Sequence, residues 1–100
     1  RDLGGASYSG IASIYASSGK IKEALGYYNK ASECEPDNPM IQYQSGLLYL
    51  MEDDYANARN RLEKAAVLYE FNNDQAGLAR TQAYLIKIDE INSLGKQSNQ

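Results

Sequence analysis

Two pairs of adjacent acids, Asp53-Asp54 and Asp89-Glu90, are the side chains best suited to acid–base catalysis or metal binding. Either chemistry needs carboxylates that converge on one point, whereas neighbouring residues in a turn or a helix point apart. The sequence has no histidine and one cysteine, Cys34, so the most frequent catalytic base and a cysteine metal site are missing. We therefore expect a protein that is not an enzyme and binds neither a metal nor a cofactor.

The overall charge and the tyrosines bear on nucleic acid and membranes. Nine tyrosines could stack on bases, but the net charge of -3 and the absence of a Lys/Arg cluster argue against a nucleic-acid partner. The longest apolar runs are much shorter than the ~20 residues that span a bilayer, so no direct membrane insertion is expected. A lone cysteine excludes an intrachain disulfide and favours a reducing, cytoplasmic location.

The sequence contains an internal repeat. A set of small and large apolar positions returns after 34 residues, and repeats of this length are pairs of helices that must stack to bury their apolar sides. The first copy has Ala12, Tyr15, Ala24, Tyr28 and Ala31, and the second has Gly46, Tyr49, Ala58, Leu62 and Ala65.

These positions resemble the tetratricopeptide repeat (TPR), whose pattern is a large residue, then Leu-Gly, Tyr, Ala, Phe, Ala and a closing Pro. The first copy meets it with Tyr8, Ile11, Ala12, Tyr15, Ala24, Tyr28, Ala31 and Pro36. The second copy departs from the pattern at Gln42, Ser45 and Glu70. The resemblance implies an all-α fold, a TPR-like solenoid of helical hairpins.

Turn signals divide this single TPR domain. Gly19, Pro36, Asn38-Pro39, Glu52-Asp53-Asp54 and Asn72-Asn73-Asp74 separate five helices. They predict repeat 1 at residues 5–38, repeat 2 with an extended second helix at 39–78, a capping helix at 79–95 and a polar tail at 96–100. The fifth helix, which contains this cap, would have one apolar stripe of Leu78, Leu85, Ile88 and Ile91 and a polar exterior of Arg80, Lys87, Asp89 and Glu90, and would end at Gly95.

The first helices of both repeats are uncharged. Residues 3–19 and 38–51 contain no Asp, Glu, Lys or Arg, although charged residues make up 23% of the chain. In the family that the sequence resembles, first helices line the concave surface. That surface would combine small side chains with larger ones, and we expect it to bind a partner. Its candidate residues are Ser9, Ser13, Ala16, Met40, Tyr43, Gln44, Leu47, Leu50 and Arg80, and Tyr43 is the tyrosine that we expect to be functional.

The expected ligand of this surface is a neutral or apolar peptide or helix of a partner protein, because no charge is present to pair with a carboxylate. The chaperone-binding TPRs hold a C-terminal carboxylate with Lys, Asn and Arg. Here Ser9, Ser13 and Gln44 occupy the matching Lys and Asn positions, and only Arg80 fits. The alternative is a structural assembly element, in which the same surface makes a homo-oligomer or continues a longer solenoid.

Overall fold

The computed structural model describes residues 4–98, with side chains for residues 4–95, and this part of the chain contains five helices and no strand. The prediction of an all-α chain of five helices is confirmed. The helices are α1 (Gly5–Ser17), α2 (Ile21–Cys34), α3 (Pro39–Met51), α4 (Tyr55–Phe71) and α5 (Gln75–Ser98).

Three of the helices end in the same hydrogen-bonded turn. The residue after each helix's C-cap has positive φ: Gly19 at 79°, Asp53 at 57° and Asn73 at 58°. The next backbone N–H then donates to a carbonyl five residues earlier, as from Asp74 to Tyr69 at 2.9 Å. Glycine, aspartate and asparagine tolerate this left-handed conformation better than other residues. This explains why the turn residues predict the helix ends well.

Replacing Asn73 with glycine is expected to raise the free energy of unfolding by about 0.5–1 kcal/mol, because glycine adopts the positive φ at no steric cost. Thermal unfolding followed by circular dichroism measures the change. Asn73→Ala is the matched control and should lower the melting temperature. Equal melting temperatures for the two variants would contradict this account of the turn.

Each helix packs mainly on its neighbours in sequence, and the packing forms two apolar clusters. The first joins α1, α2 and α3 around the buried residues Ala12, Ala24, Tyr28, Ala31, Ile41 and Leu48. The second joins α3, α4 and α5 around Tyr43, Ala58, Leu62, Ala65, Tyr69 and Ile88. Helix α3 therefore contributes to both clusters, one on each side, which explains why its apolar residues do not follow a single stripe.

A buried polar network also links the two repeats. Gln42, only 3% exposed, donates from Nε2 to Ser32 Oγ at 2.8 Å. Arg61 donates from Nη1 to Gln42 Oε1 at 3.3 Å and from Nη2 to Asn29 Oδ1 at 2.7 Å. Gln42 is one of the positions where the second repeat departs from the TPR pattern. Its partners on α2 and α4 satisfy the polar group that replaces the usual large residue.

The C-terminal helix differs from the sequence prediction at both ends and in its exposed residues. It begins at Gln75 and not at residue 79, and Ile91 of the predicted apolar stripe is 39% exposed. It continues past Gly95 to Ser98, because glycine in a helix costs only about 1 kcal/mol relative to alanine and no proline follows. Residues 96–98 are therefore helical and not a tail, while Asn99 and Gln100 of the predicted tail lie outside the described residues. The outer surface of α5 is also less polar than expected, since Ile86 and Leu94 are 59% and 62% exposed.

Candidate functional site

Two neighbouring cavities lie between α3 and α5. The first, of about 340 Å³, is lined by Tyr43, Arg80, Ala83, Tyr84 and Lys87. The second, of about 330 Å³, is lined by Leu47, Leu50, Met51 and Tyr84. Tyr84 borders both cavities, so they are adjacent, and we call the two together the α3–α5 groove.

Tyr43 forms part of the base of this groove. Its side chain is only 8% exposed and belongs to the second core cluster. Its ring meets Tyr69 and Tyr84 edge-on, with centroids 6.4 and 6.1 Å away, and Arg80 Cζ lies 5.8 Å from its centroid. Burial raises the pKa of the Tyr43 hydroxyl, and neighbouring Tyr84 raises it further while Arg80 opposes the shift. Removing this ring would therefore damage the core as well as the groove.

The structure brings together four of the nine candidate residues: Tyr43, Leu47, Leu50 and Arg80 all line the groove. Leu47 and Leu50 are half-buried against the second cluster. Met51, also from α3, is 66% exposed at the end of the second cavity. The exposed apolar part of the groove is thus concentrated at the C-terminal end of α3.

The other five candidates do not line these two cavities. Ser9 and Ala16 on α1 are half-buried, and the Ser9 hydroxyl donates to the carbonyl of Gly5 at 3.0 Å. Ser13 is exposed. Met40 and Gln44 lie on the N-terminal half of α3, where Gln44 Nε2 donates to Met40 Sδ at 3.6 Å.

Of the α5 residues, only Arg80 was predicted for this surface, whereas Ala83, Tyr84 and Lys87 also line the groove. Lys87 was predicted to lie on the polar exterior. The extended second helix of repeat 2 contained the signal, because it lengthens the spacing to the next unit to about 40 residues. That spacing aligns Tyr84 with Gln44 and Lys87 with Leu47. The charge-free surface expected from α1 and α3 consequently acquires two cations from α5, Arg80 and Lys87.

Three acids of the two adjacent pairs, Asp53, Asp54 and Asp89, have structural partners. Asp54 caps α4 by accepting from the backbone N–H of Asn57 at 3.2 Å, and the hydroxyl of Tyr55 donates to Asp53 Oδ1 at 3.2 Å. Asp89 pairs with Arg59. Among the described side chains, no group of three His, Cys, Asp or Glu residues is placed to hold a metal ion.

A second apolar surface lies on α4, away from the groove. Val67 and Phe71 are 66% and 84% exposed. A cavity of about 450 Å³ beside them is lined by Pro36, Asn60, Glu63, Lys64, Val67 and Leu68. This apolar surface was not predicted from the sequence, because α4 also contains charged residues such as Arg59, Glu63 and Lys64. Within the described part of the chain, no helix combines the length and apolar composition needed to cross a membrane.

Comparisons with known proteins agree with this architecture. Residues 12–53 match a family model described as a TPR repeat. A tetratricopeptide repeat domain protein from Salinibacter ruber is 19% identical, and its structure aligns over 90% of this chain and 98% of that chain with a TM-score of 0.78. The second TPR of Spaghetti (RPAP3), solved with the HSP90 peptide SRMEEVD, is 18% identical and aligns over 89% and 83% with a TM-score of 0.66. No match is found among curated protein sequences. At these identities the solved structures establish the fold, and they confirm the predicted solenoid of helical hairpins.

Proposed function

We propose that this chain belongs to the tetratricopeptide-repeat family, whose model matches residues 12–53, and that it is a protein-interaction scaffold that binds a peptide segment or helix of a partner protein in the α3–α5 groove. The observation that carries the proposal is the second cavity. Leu47, Leu50 and Met51 form its apolar wall beside Tyr84, and Met51 is 66% exposed. An exposed apolar surface inside a concave depression is characteristic of a binding site.

A peptide ligand is supported by the fold, because the related TPR of Spaghetti (RPAP3) was solved with a peptide bound. The residues of this chain favour a different mode of recognition from a carboxylate clamp. Ser9, Ser13 and Gln44 stand where the family resemblance places the clamp Lys and Asn residues. We therefore propose that apolar anchors in the second cavity supply much of the binding energy, as in other grooves that accept a helix or an extended segment.

Selection from a display library of random linear peptides tests the proposal, followed by fluorescence anisotropy on the enriched peptides. Met51→Asp is expected to weaken binding about tenfold or more, because it places a charge in the apolar cavity, a cost of at least about 1.4 kcal/mol. Val67→Asp on α4 is the matched control, since Val67 is also 66% exposed but lies outside the groove. It should leave both helicity and affinity unchanged.

The proposal would be contradicted by peptides that bind Val67→Asp more weakly than the wild-type chain but bind Met51→Asp with unchanged affinity. Such a result would mean that the binding surface lies on α4.

A second candidate function is structural assembly, with the same groove forming a homo-oligomer. The exposure of Met51 and of Met40, 47% exposed on the same helix, favours it, because an apolar surface on one copy can cover that on another. Sedimentation equilibrium at micromolar concentrations separates the two functions. A dimer that Met51→Asp dissociates would support assembly, whereas a monomer that binds peptide would exclude it.

We propose that the protein has no catalytic activity, no cofactor and no nucleic-acid ligand, and that it does not insert directly into a membrane. We also propose that it is located in the cytoplasm. The net charge of -3 and the absence of histidine from the sequence support the first three of these negatives. The structural roles of Asp53, Asp54 and Asp89 support the proposal that these acids are not catalytic.

A further inference from the structure

We infer that the segment bound in the α3–α5 groove carries one carboxylate side chain close to an aliphatic anchor, so that the ligand is neither wholly neutral nor an acidic run. The inference rests on the proposed function and names the chemistry of its ligand. It depends on the two cations that α5 places in the groove.

The first cavity is cationic. Arg80 and Lys87 both contribute to its lining, together with Tyr43, Ala83 and Tyr84, and the lining includes no acidic side chain. They lie seven residues apart, two turns along one side of α5, so their charged groups can approach the same ligand group. The cavity is therefore suited to an anion.

Neither cation is neutralised by a carboxylate among the described side chains. The ion pair that α5 forms there joins Asp89 to Arg59 of α4, on another side of the helix. The contact that the structure gives Arg80 is with the Tyr43 ring, at 5.8 Å. A guanidinium over an aromatic ring keeps its N–H donors available, and they can bind a carboxylate through two parallel hydrogen bonds. Arg80 is thus positioned by Tyr43 while its donors remain open to a ligand.

The rest of the chain limits how acidic the ligand can be. The net charge is -3, so a run of acids would be repelled by the protein as a whole even though two cations attract it locally. Glu90 is exposed and lies three residues beyond Lys87 on α5, within one turn of it. A single carboxylate gains the local attraction at the smallest repulsive cost.

The apolar part of the ligand is set by the second cavity. Leu47, Leu50 and Met51 line it, and Tyr84 separates it from the cationic cavity. The carboxylate and the aliphatic side chain must therefore reach to either side of one tyrosine ring. Residues two apart in an extended peptide, about 6.5–7 Å, or three to four apart in a helix, about 5–6 Å, have this reach.

The experiment compares a pair of synthetic peptides derived from the strongest sequence selected from the display library, one with its Glu or Asp and one with Gln or Asn in its place. The carboxylate peptide is expected to bind the wild-type chain about tenfold more tightly than the amide peptide. Its carboxylate can form two exposed ion pairs, each of which contributes up to about fivefold, and the two factors multiply. The double variant Arg80→Gln/Lys87→Gln should remove that advantage, so that the ratio of the two peptide affinities falls to about one. Raising the salt concentration should act in the same direction.

The control variant is Lys22→Gln/Lys64→Gln, which changes the net charge equally at two exposed lysines outside the groove. It should retain most of the preference for the carboxylate. Equal affinities of both peptides for the wild-type chain would overturn the inference but leave the proposed function standing, as would a preference that survives Arg80→Gln/Lys87→Gln. If no peptide sequence is enriched at all, the proposed function fails and the inference fails with it.

Discussion

Ile88→Ala is expected to lower the free energy of unfolding by about 2–5 kcal/mol, a large part of the ~5–15 kcal/mol that stabilises a typical domain. The side chain is 0% exposed and lies in the second core cluster with residues of α4. Its truncation leaves a cavity between α4 and α5 that a helical framework cannot fully close. Chemical denaturation followed by circular dichroism measures the loss.

The loss should be concentrated in α5. In a solenoid each unit is stabilised by its immediate neighbours, and α5 packs mainly on α4. Hydrogen exchange should therefore show faster opening of α5 than of α1 and α2. Because α5 supplies Arg80, Tyr84 and Lys87, the same variant should also lose affinity for groove ligands.

Ile86→Ala provides the control for this prediction. Ile86 has the same side chain two residues away on the same helix, but it is 59% exposed. Its truncation should change the free energy of unfolding by less than about 0.5 kcal/mol, as is usual for surface positions. Similar losses for the two variants would mean that α5 is not docked through Ile88.

The elements of the fold follow from local sequence signals. The ends of α1, α3 and α4 depend on single residues, Gly19, Asp53 and Asn73, whose backbone preference is local. Each of them belongs to a turn predicted from the sequence and lies two residues beyond the last residue of its helix. The end predicted for α5 at Gly95 was wrong, because Gly95 forms no such turn and the helix continues through it. A glycine ends a helix only when the residues after it favour leaving the helix.

The groove was less predictable because it depends on how α5 sits against α3. An apolar residue on a helix can be a ligand anchor or a core residue, and only the neighbouring element decides which. Tyr43 is covered by Tyr69 and Tyr84, whereas Met51 on the same helix is left exposed. The absence of charged residues from α1 and α3 gives no information about Arg80 and Lys87, because both of these residues lie on α5.

Gln42, a polar residue where the repeat pattern has a large one, shows that prediction from the sequence is limited in the core as well. The repeat register marks the position as buried, so a polar side chain there requires partners. Which partners it finds depends on residues 10 and 19 positions away, Ser32 and Arg61, that meet only when the repeats stack. Sequence periodicity therefore locates a buried position more easily than it explains an unusual residue there.

Gly46→Ala is expected to destabilise the chain by about 1–3 kcal/mol, although alanine is the better helix former. A Cβ at this position would lie 2.7 Å from Leu62 Cγ and 2.9 Å from Leu62 Cδ2, at the closest approach of α3 and α4. Leu62 is itself 0% exposed and has no room to move. The equivalent residue of the first repeat is Ala12, and its cluster contains Tyr28 at the position that Leu62 occupies in the second repeat.

Gly26→Ala is the matched control, because no atom lies within 4 Å of its added Cβ in the middle of α2. It should stabilise the chain by up to about 1 kcal/mol through helix propensity alone. Adding Leu62→Val to Gly46→Ala should recover part of the loss, since the two side chains compete for one space and their effects should not add. Strictly additive losses in denaturation experiments would show that the small residue of the second repeat is required for some reason other than its contact with Leu62.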